Sequence, residues 1–192
     1  MVKIGFIEDG IERNVSGGSG YYHCKYLPAT GLKNPGEDAV FTPPDANQIG
    51  GWNIAADTAK LIGIMRTCSD WDAASDATLN VVWCTNADNT GGNVGDTVDL
   101  KCIFRYAGVG DTSIKTQTVE VPVIVGQAAQ YTVFETDFTL NYDLADNVLE
   151  SGDIVSIDLN IETDTSEVDN VIIHHGIYYY KTQVPCIEVP DE

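Results

Sequence analysis

Basic side chains are scarce in this chain. It has 10 Lys and Arg residues against 29 Asp and Glu residues among 192 positions, which gives a formal net charge of −19. A surface this acidic repels the phosphates of nucleic acids and the anionic headgroups of membranes. We therefore expect no nucleic acid and no membrane among the partners, and we interpret the charge as a device for solubility.

Long apolar runs are also missing. No stretch of the sequence approaches the roughly 20 apolar residues of a membrane span. The opening segment "MVKIGFIEDGIERN" has one lysine and no long apolar run, so it does not have the pattern of a signal peptide. The sequence thus predicts synthesis and folding in the cytoplasm of the cell that makes the protein.

The cysteines do not show a spacing that indicates pairing. The chain has five cysteines, an odd number, and no two of them show the C-x-x-C spacing. This disfavours a disulfide framework and a thiolate zinc site. Cys84 and Cys102 lie in strand-like runs, where we expect free thiols to act as small apolar side chains.

Catalytic motifs are missing as well. The sequence contains no G-x-S-x-G elbow, no P-loop and no H-E-x-x-H, and "GGSG" and "GVGD" are better explained as turns. Only three histidines are present, which fits a cupin-like metal enzyme poorly. We expect a protein that is not an enzyme, with no catalytic residues, no cofactor and no metal.

Acidic loops are the one feature that raises the question of calcium. Asp88, Asp96, Asp164 and Asp169 lie in the polar stretches "NADNTGGNVGD" and "ETDTSEVDN". Neither stretch has the ligand spacing of an EF-hand loop. Because 29 acidic residues produce such clusters by chance, solvated loops are the favoured interpretation.

Alternating apolar residues dominate from residue 77 onward, after a strand-like segment "AKLIGIMRT". "VDLKCIFRY" places Val98, Leu100, Cys102, Phe104 and Tyr106 on one face, and "DIVSIDLNI" repeats the pattern. Seven or eight such segments with few helical periods predict an all-β fold, an antiparallel sandwich or barrel, of which we favour the β-sandwich. Pro122 lies inside another alternating run, which predicts an edge strand or a bulge there.

Residues 1–56 have a different composition. Gly, Pro and Asn are dense in this segment and no period persists, yet tyrosines, Phe41 and Trp52 are scattered through it. We interpret residues 1–56 as an irregular N-terminal arm that docks on its own domain or on a neighbour, and residues 57–192 as the β-sandwich domain.

The last strand-like segment, "NVIIHHGIYYYK", is apolar on both faces. Strict alternation places Val171, Ile173, His175, Ile177 and Tyr179 on a core face. The opposite face collects Ile172, His174, Tyr178 and Tyr180, which we predict to contact another subunit or the N-terminal arm. Two adjacent histidines on a strand point to opposite faces, so they are poor ligands for one metal ion.

Trp71 is the candidate for a ligand contact. It lies in the polar stretch "CSDWDAASD", far from Trp52 and Trp83 in sequence. A tryptophan among polar residues predicts an exposed side chain that could contact a ligand.

A family resemblance covers residues 57 to 182. The segments "WDAASDATLNVVW", "TQTVEVPV" and especially "SGDIVSIDL" resemble small jelly-roll domains encoded by tailed phages and environmental viruses. That resemblance implies a jelly-roll fold, assembly as a homotrimer and a place on the virion surface, attached to the major capsid protein or another virion protein. It also implies that the protein is not an enzyme.

Two functions remain open on these grounds. The first is a viral structural protein, a trimeric capsid decoration or spike protein made in the host cytoplasm and carried on the virion surface. The alternative is a tail-fibre domain or a receptor- or carbohydrate-binding module, which uses the same fold class.

Overall fold

The protein is an antiparallel β-sandwich. The computed structural model describes residues 21–36, 39–55, 59–67, 71–72, 74–162, 166–168 and 170–182. The ten strands of this described part are listed here in chain order: β1 (Tyr21–Pro28), β2 (Val40–Thr42), β3 (Gly51–Ile54), β4 (Leu61–Arg66), β5 (Ala77–Thr85), β6 (Thr97–Ala107), β7 (Lys115–Ile124), β8 (Val133–Leu140), β9 (Ile154–Ile161) and β10 (Val171–Thr182). A one-turn 3-10 helix follows β1 at Ala29–Gly31.

The strand order is that of a jelly roll. One sheet has the order β2-β3-β10-β5-β8, with β1 paired to β10, and the other has the order β4-β9-β6-β7. All pairings between these strands are antiparallel. From β3 to β10 the chain crosses repeatedly between the sheets, which produces the two interleaved four-stranded layers of a jelly roll. The predicted fold class is therefore confirmed.

The core lies between the two sheets, where alternation in the sequence predicted it. The predicted face of β6 is buried along its whole length: Val98, Leu100, Cys102, Phe104 and Tyr106 are at most 1% exposed. The alternate residues of β9 are buried in the same way. Trp83 of β5 anchors the other sheet, because its ring stacks on Phe134 and its indole N–H donates to Thr136 Oγ1 at 2.9 Å.

The strand that contains Pro122 is an edge strand, as the proline predicted. β7 is the last strand of its sheet and, among the described strands, pairs with β6 alone. Proline has no backbone N–H to donate, so it is tolerated on a strand whose outer edge faces solvent.

Residues 21–54 are more regular than the predicted arm. They supply β1, β2 and β3, and they bury Leu27, Leu32 and Ile54 in the core. The jelly roll therefore begins at Gly51, before the expected boundary at residue 57. The composition concealed these strands because turn residues separate them and each depends on β10 or a neighbouring strand for its hydrogen bonds. Residues 1–20 lie outside the described residues.

β10 contains an irregularity that reverses its faces. Its pairing with β5 shifts between Ile173 and His175, so that one extra residue stands in β10. A bulge of one residue moves every later side chain to the other face. After it, Gly176, Tyr178 and Tyr180 point into the core, while Ile177 and Tyr179 are only partly buried.

The structure gives no support to the expectation that the four predicted interface residues contact another subunit, whereas the alternative, contact with the segment assigned to the N-terminal arm, is present along β10. Ile172, Tyr178 and Tyr180 are 0% exposed and His174 is 5% exposed within the single chain, so they offer almost no surface to another subunit. The structure instead brings His174 against the segment assigned to the arm, where its Nδ1 donates to the Gly50 carbonyl oxygen at 2.6 Å. Gly51 lies so close to β10 that a Cβ there would clash with the Ile173 carbonyl.

The prediction that the Trp71 side chain is exposed is also wrong. It is 2% exposed and belongs to the core, and its backbone forms an isolated bridge with Thr182. In the described part of the chain, no helix has the length and apolar character needed to cross a membrane.

Candidate functional site

The outer face of the first sheet is the candidate site. Four neighbouring strands, β1, β10, β5 and β8, present side chains there in rows across the sheet. One row reads Cys24–Tyr179–Thr78–Thr139, the next reads Tyr26–Ile177–Asn80–Asp137, and the third reads Pro28–His175–Val82–Glu135. Three strand spacings separate β1 from β8, so the face is about 14 Å wide.

Aromatic rings occupy the β1 and β10 side of this face. Tyr22 meets Tyr179 edge to face with ring centroids 6.3 Å apart, and Tyr26 meets the His175 ring at 5.2 Å. Tyr26 is 61% exposed and Tyr22 is 38% exposed. Because the sandwich buries most of its other aromatic rings, this group is an exposed aromatic surface on a rigid sheet.

Polar groups occupy the β5 and β8 side. Asn80 Nδ2 donates to Asp137 Oδ1 at 2.8 Å across the two strands. Glu135, Asp137 and Thr139 are exposed, and Thr78 lies between Tyr179 and Thr139. The face therefore combines apolar rings at one side with amide, hydroxyl and carboxylate groups at the other.

Burial shifts the pKa values of two rings on this face, those of His175 and Tyr179. Burial lowers the pKa of His175, the neighbouring His174 lowers it further, and Glu135 acts in the opposite direction. Burial raises the pKa of Tyr179, and Asp137 adds to that effect, while a hydrogen bond with Thr78 opposes it. The acidic side chains in the three rows are those of Glu135 and Asp137.

A groove borders the aromatic side. It lies between the open edges of the two sheets and has a volume of about 490 Å³. Its lining residues are Lys25, Tyr26, Leu27, Ile64, Met65, Arg66 and Ile154. Tyr26 therefore belongs both to the aromatic face and to this groove.

Neither the four expected interface residues nor Trp71 belongs to this face. Sequence reasoning missed it because strict alternation placed His175, Ile177 and Tyr179 in the core. The available clue was "YYHCKY", where Tyr22 and Tyr26 are four residues apart and therefore lie on one side of a strand.

The acidic loops considered for calcium are held by hydrogen bonds. Asp88 Oδ1 accepts from the Thr90 backbone, and Asp96 Oδ2 accepts from Asn89 Nδ2 and the Asn93 backbone at 2.9 Å each. Those bonds lower the pKa of Asp96. Asp164 and Asp169 lie outside the described residues. Elsewhere in the described part, Asp111, Glu150 and Asp153 bring one carboxylate oxygen each within 4.8 Å of one another.

The predicted free thiols are present at Cys84 and Cys102. Both are buried and unpaired in the described structure. Burial raises the pKa of Cys84 to about 11 and raises that of Cys102 further. Cys68 and Cys186 lie outside the described residues.

Comparison with known proteins gives similarity of structure alone. No protein-family profile matches the chain, and no curated protein matches it in sequence. The carbohydrate-binding module CBM36 in complex with calcium and xylotriose aligns at a TM-score of 0.40 and 15% identity, over 81% of this chain and 98% of that one.

Two further solved structures show the same level of similarity. The family 11 carbohydrate-binding module from Clostridium thermocellum, in complex with a mixed-linked tetrasaccharide, aligns at a TM-score of 0.36 and 9% identity, over 86% of this chain and 98% of that one. The enzymatically active domain of tailspike protein 4 of bacteriophage CBA120 aligns at 0.40 and 16%, over 77% of this chain and 18% of that one. Similarities at this level assign no function to this chain.

Proposed function

We propose that this chain is a carbohydrate-binding module and that the outer face of its first sheet holds the ligand. The observation that carries the proposal is an aromatic group, the exposed Tyr22 and Tyr26 with the partly buried Tyr179, beside the hydrogen-bonded pair Asn80 and Asp137. This proposal develops the binding-module alternative, and it assigns the protein no catalytic step.

The chemistry of the face suits a sugar chain. A sugar ring has an apolar C–H side, which packs on an aromatic ring, and hydroxyl groups at its rim, which need donors and acceptors. Amide and carboxylate groups such as those of Asn80 and Asp137 supply both. The face is wide enough for a short oligosaccharide to lie from β1 towards β8.

The negative charge of the face predicts which class of glycan, neutral or anionic, can bind. Glu135 and Asp137 are exposed on β8, and the whole chain carries a net charge of −19. An anionic sugar would meet repulsion there. The proposed ligand is therefore a neutral glycan rather than a sialylated or sulfated one.

The virion-surface setting implied by the family resemblance belongs to the same proposal. A module of this kind on a tail fibre or spike would bind a glycan on the host surface. The expected homotrimer would then use a surface other than the buried β10 side chains. Light scattering on the purified protein tests the trimer, which would have three times the chain mass of 20.8 kDa.

Glycan binding is tested with an array of neutral and anionic glycans, followed by calorimetric titration of the best ligand. Tyr26→Ala and Tyr179→Ala are each expected to weaken binding by about tenfold, the ~1.4 kcal/mol of one good aromatic contact. Phe41→Ala is the matched control, because Phe41 is 41% exposed on β2 and packs on Trp52, away from the three rows.

Three results would contradict the proposal. Binding to no glycan would exclude the function, and equal losses in Phe41→Ala and Tyr26→Ala would exclude this face as the site. Preferred binding of sialylated or sulfated glycans would exclude the predicted selectivity.

A further inference from the structure

Two loops at one end of the sandwich bring three carboxylates together. Asp111 lies in the turn between β6 and β7, and Glu150 and Asp153 lie in the segment that leads into β9. One carboxylate oxygen from each lies within 4.8 Å of the others. This cluster is separate from the outer face of the first sheet, and the inference below does not depend on glycan binding.

Asp153 is the unusual member of the cluster. It is fully buried, and its Oδ2 accepts from the Glu150 backbone N–H at 2.9 Å. Among the residues that the structure describes, its Oδ1 has no hydrogen-bond partner, and it is shielded from solvent. A buried carboxylate oxygen without a partner is costly, because it has given up water without a replacement.

The unpartnered oxygen points to a small space that another carboxylate also borders. The position that a Cβ of Gly108 would occupy lies 3.0 Å from Asp153 Oδ1 and 3.6 Å from Asp111 Oδ2. Gly108 has no side chain to fill that position, and its backbone N–H donates to Asp111 Oδ2 at 2.8 Å. Oxygens from two separate loops therefore converge beside one glycine.

In the described part of the chain, Lys115 is the cation that lies within 4 Å of all three carboxylates, and it does not balance their charge. Lys115 Nζ lies 2.5 Å from Glu150 Oε2, 3.6 Å from Asp153 Oδ2 and 3.7 Å from Asp111 Oδ2. Three carboxylates against one ammonium leave two negative charges at a partly buried position. The lysine lies nearest Glu150 and approaches Asp153 through Oδ2, the oxygen that is already hydrogen-bonded.

We propose that this cluster binds a Ca²⁺ ion, held by Asp153 Oδ1 and the Asp111 carboxylate beside Gly108, with Glu150 as a further ligand. The donor atoms are all oxygens, which Ca²⁺ prefers, whereas zinc sites favour nitrogen and sulfur ligands. Ca²⁺ accepts irregular oxygen sites completed by water, whereas Mg²⁺ demands near-octahedral geometry. With so few protein ligands and a competing lysine, the dissociation constant belongs in the range of about 10⁻⁴–10⁻³ M seen for extracellular modules.

Thermal unfolding of the full chain in CaCl₂ tests the site. Reference samples contain MgCl₂, and NaCl at matched ionic strength. We expect Ca²⁺ at ten times its dissociation constant or more to raise the Tm by about 3–6 °C above the NaCl reference, because it binds only the folded state. Calorimetric titration should give one ion per chain.

Variants separate this site from general screening of an acidic protein. Asp111→Asn and Asp153→Asn should lose the Ca²⁺-specific rise, while Asp88→Asn, an acidic loop residue elsewhere, should keep it. Asp111 is exposed, so its variant folds even if the Asp153 variant does not. The site is excluded if Ca²⁺ and NaCl give equal Tm values in the unmodified protein, or if Asp111→Asn responds as the unmodified protein does.

Discussion

The outer faces of the two sheets are built from different chemistry. On the second sheet, Lys101 pairs with Glu162 at 2.6 Å and with Glu120 at 3.6 Å, and Asp158 pairs with Arg105 at 3.2 Å and with Lys60 at 3.5 Å. On the first sheet, exposed tyrosines and a histidine ring occupy the corresponding position.

This difference separates a surface on which basic and acidic side chains pair within the chain from one on which aromatic rings stay exposed. The three basic and three acidic side chains named above neutralise one another. The hydrogen bond with Glu162 raises the pKa of Lys101 accordingly. The rings on the first sheet touch one another but leave 61% of Tyr26 uncovered. Exposed aromatic surface contributes little to folding and is typical of binding sites.

The largest expected effect is a difference in stability between substitutions on the two sides of β10. Tyr178→Asp would place a charge in the core and should lower the free energy of unfolding by ~4 kcal/mol or more, or prevent folding. Tyr179→Asp changes the outer face and should cost ~1 kcal/mol. Urea denaturation followed by tryptophan fluorescence compares the two. Equal losses would show that the bulge does not set the faces of β10 as described.

We expect a smaller difference in stability between substitutions of a carboxylate on each of the two outer faces. Asp158→Asn removes the shared partner of Arg105 and Lys60, and because the Asp158 side chain is 8% exposed we expect a loss of ~1–2 kcal/mol. Asp137→Asn, on the aromatic face, is the matched control and should lie within ~0.5 kcal/mol of the unmodified protein. If Asp137→Asn proves the more destabilising in urea, the contrast between the faces is wrong.

The smallest effect concerns the rate at which Cys24 reacts. Cys24 lies on the aromatic face beside Tyr179, and partial burial of its sulfur raises its pKa above the usual value. The thiolate is the reactive form, so alkylation should be slow at pH 7 and should accelerate as the pH rises above 9. Cys84, with a pKa of about 11, should lag behind Cys24 throughout.

Peptide mapping by mass spectrometry gives these rates, and Cys24→Ser identifies the labelled peptide. A glycan bound across the face should protect Cys24 and leave the rate at Cys84 unchanged. Faster alkylation of Cys84 than of Cys24 in the folded protein would contradict the placement of β1 on the outer surface.

The sequence by itself determined the fold class, the buried faces of β6 and β9, the free buried thiols and the edge position of Pro122. These features depend on period-2 alternation and on the missing N–H of proline, which are local properties. The tertiary structure decided the rest. The bulge beside His174 depends on how β10 pairs with β3, β1 and β5, and a shift of one residue exchanges Tyr178 and Tyr179 between the core and the surface. For the same reason the aromatic face, and the approach of Asp153 to Asp111, became visible only once distant segments were paired.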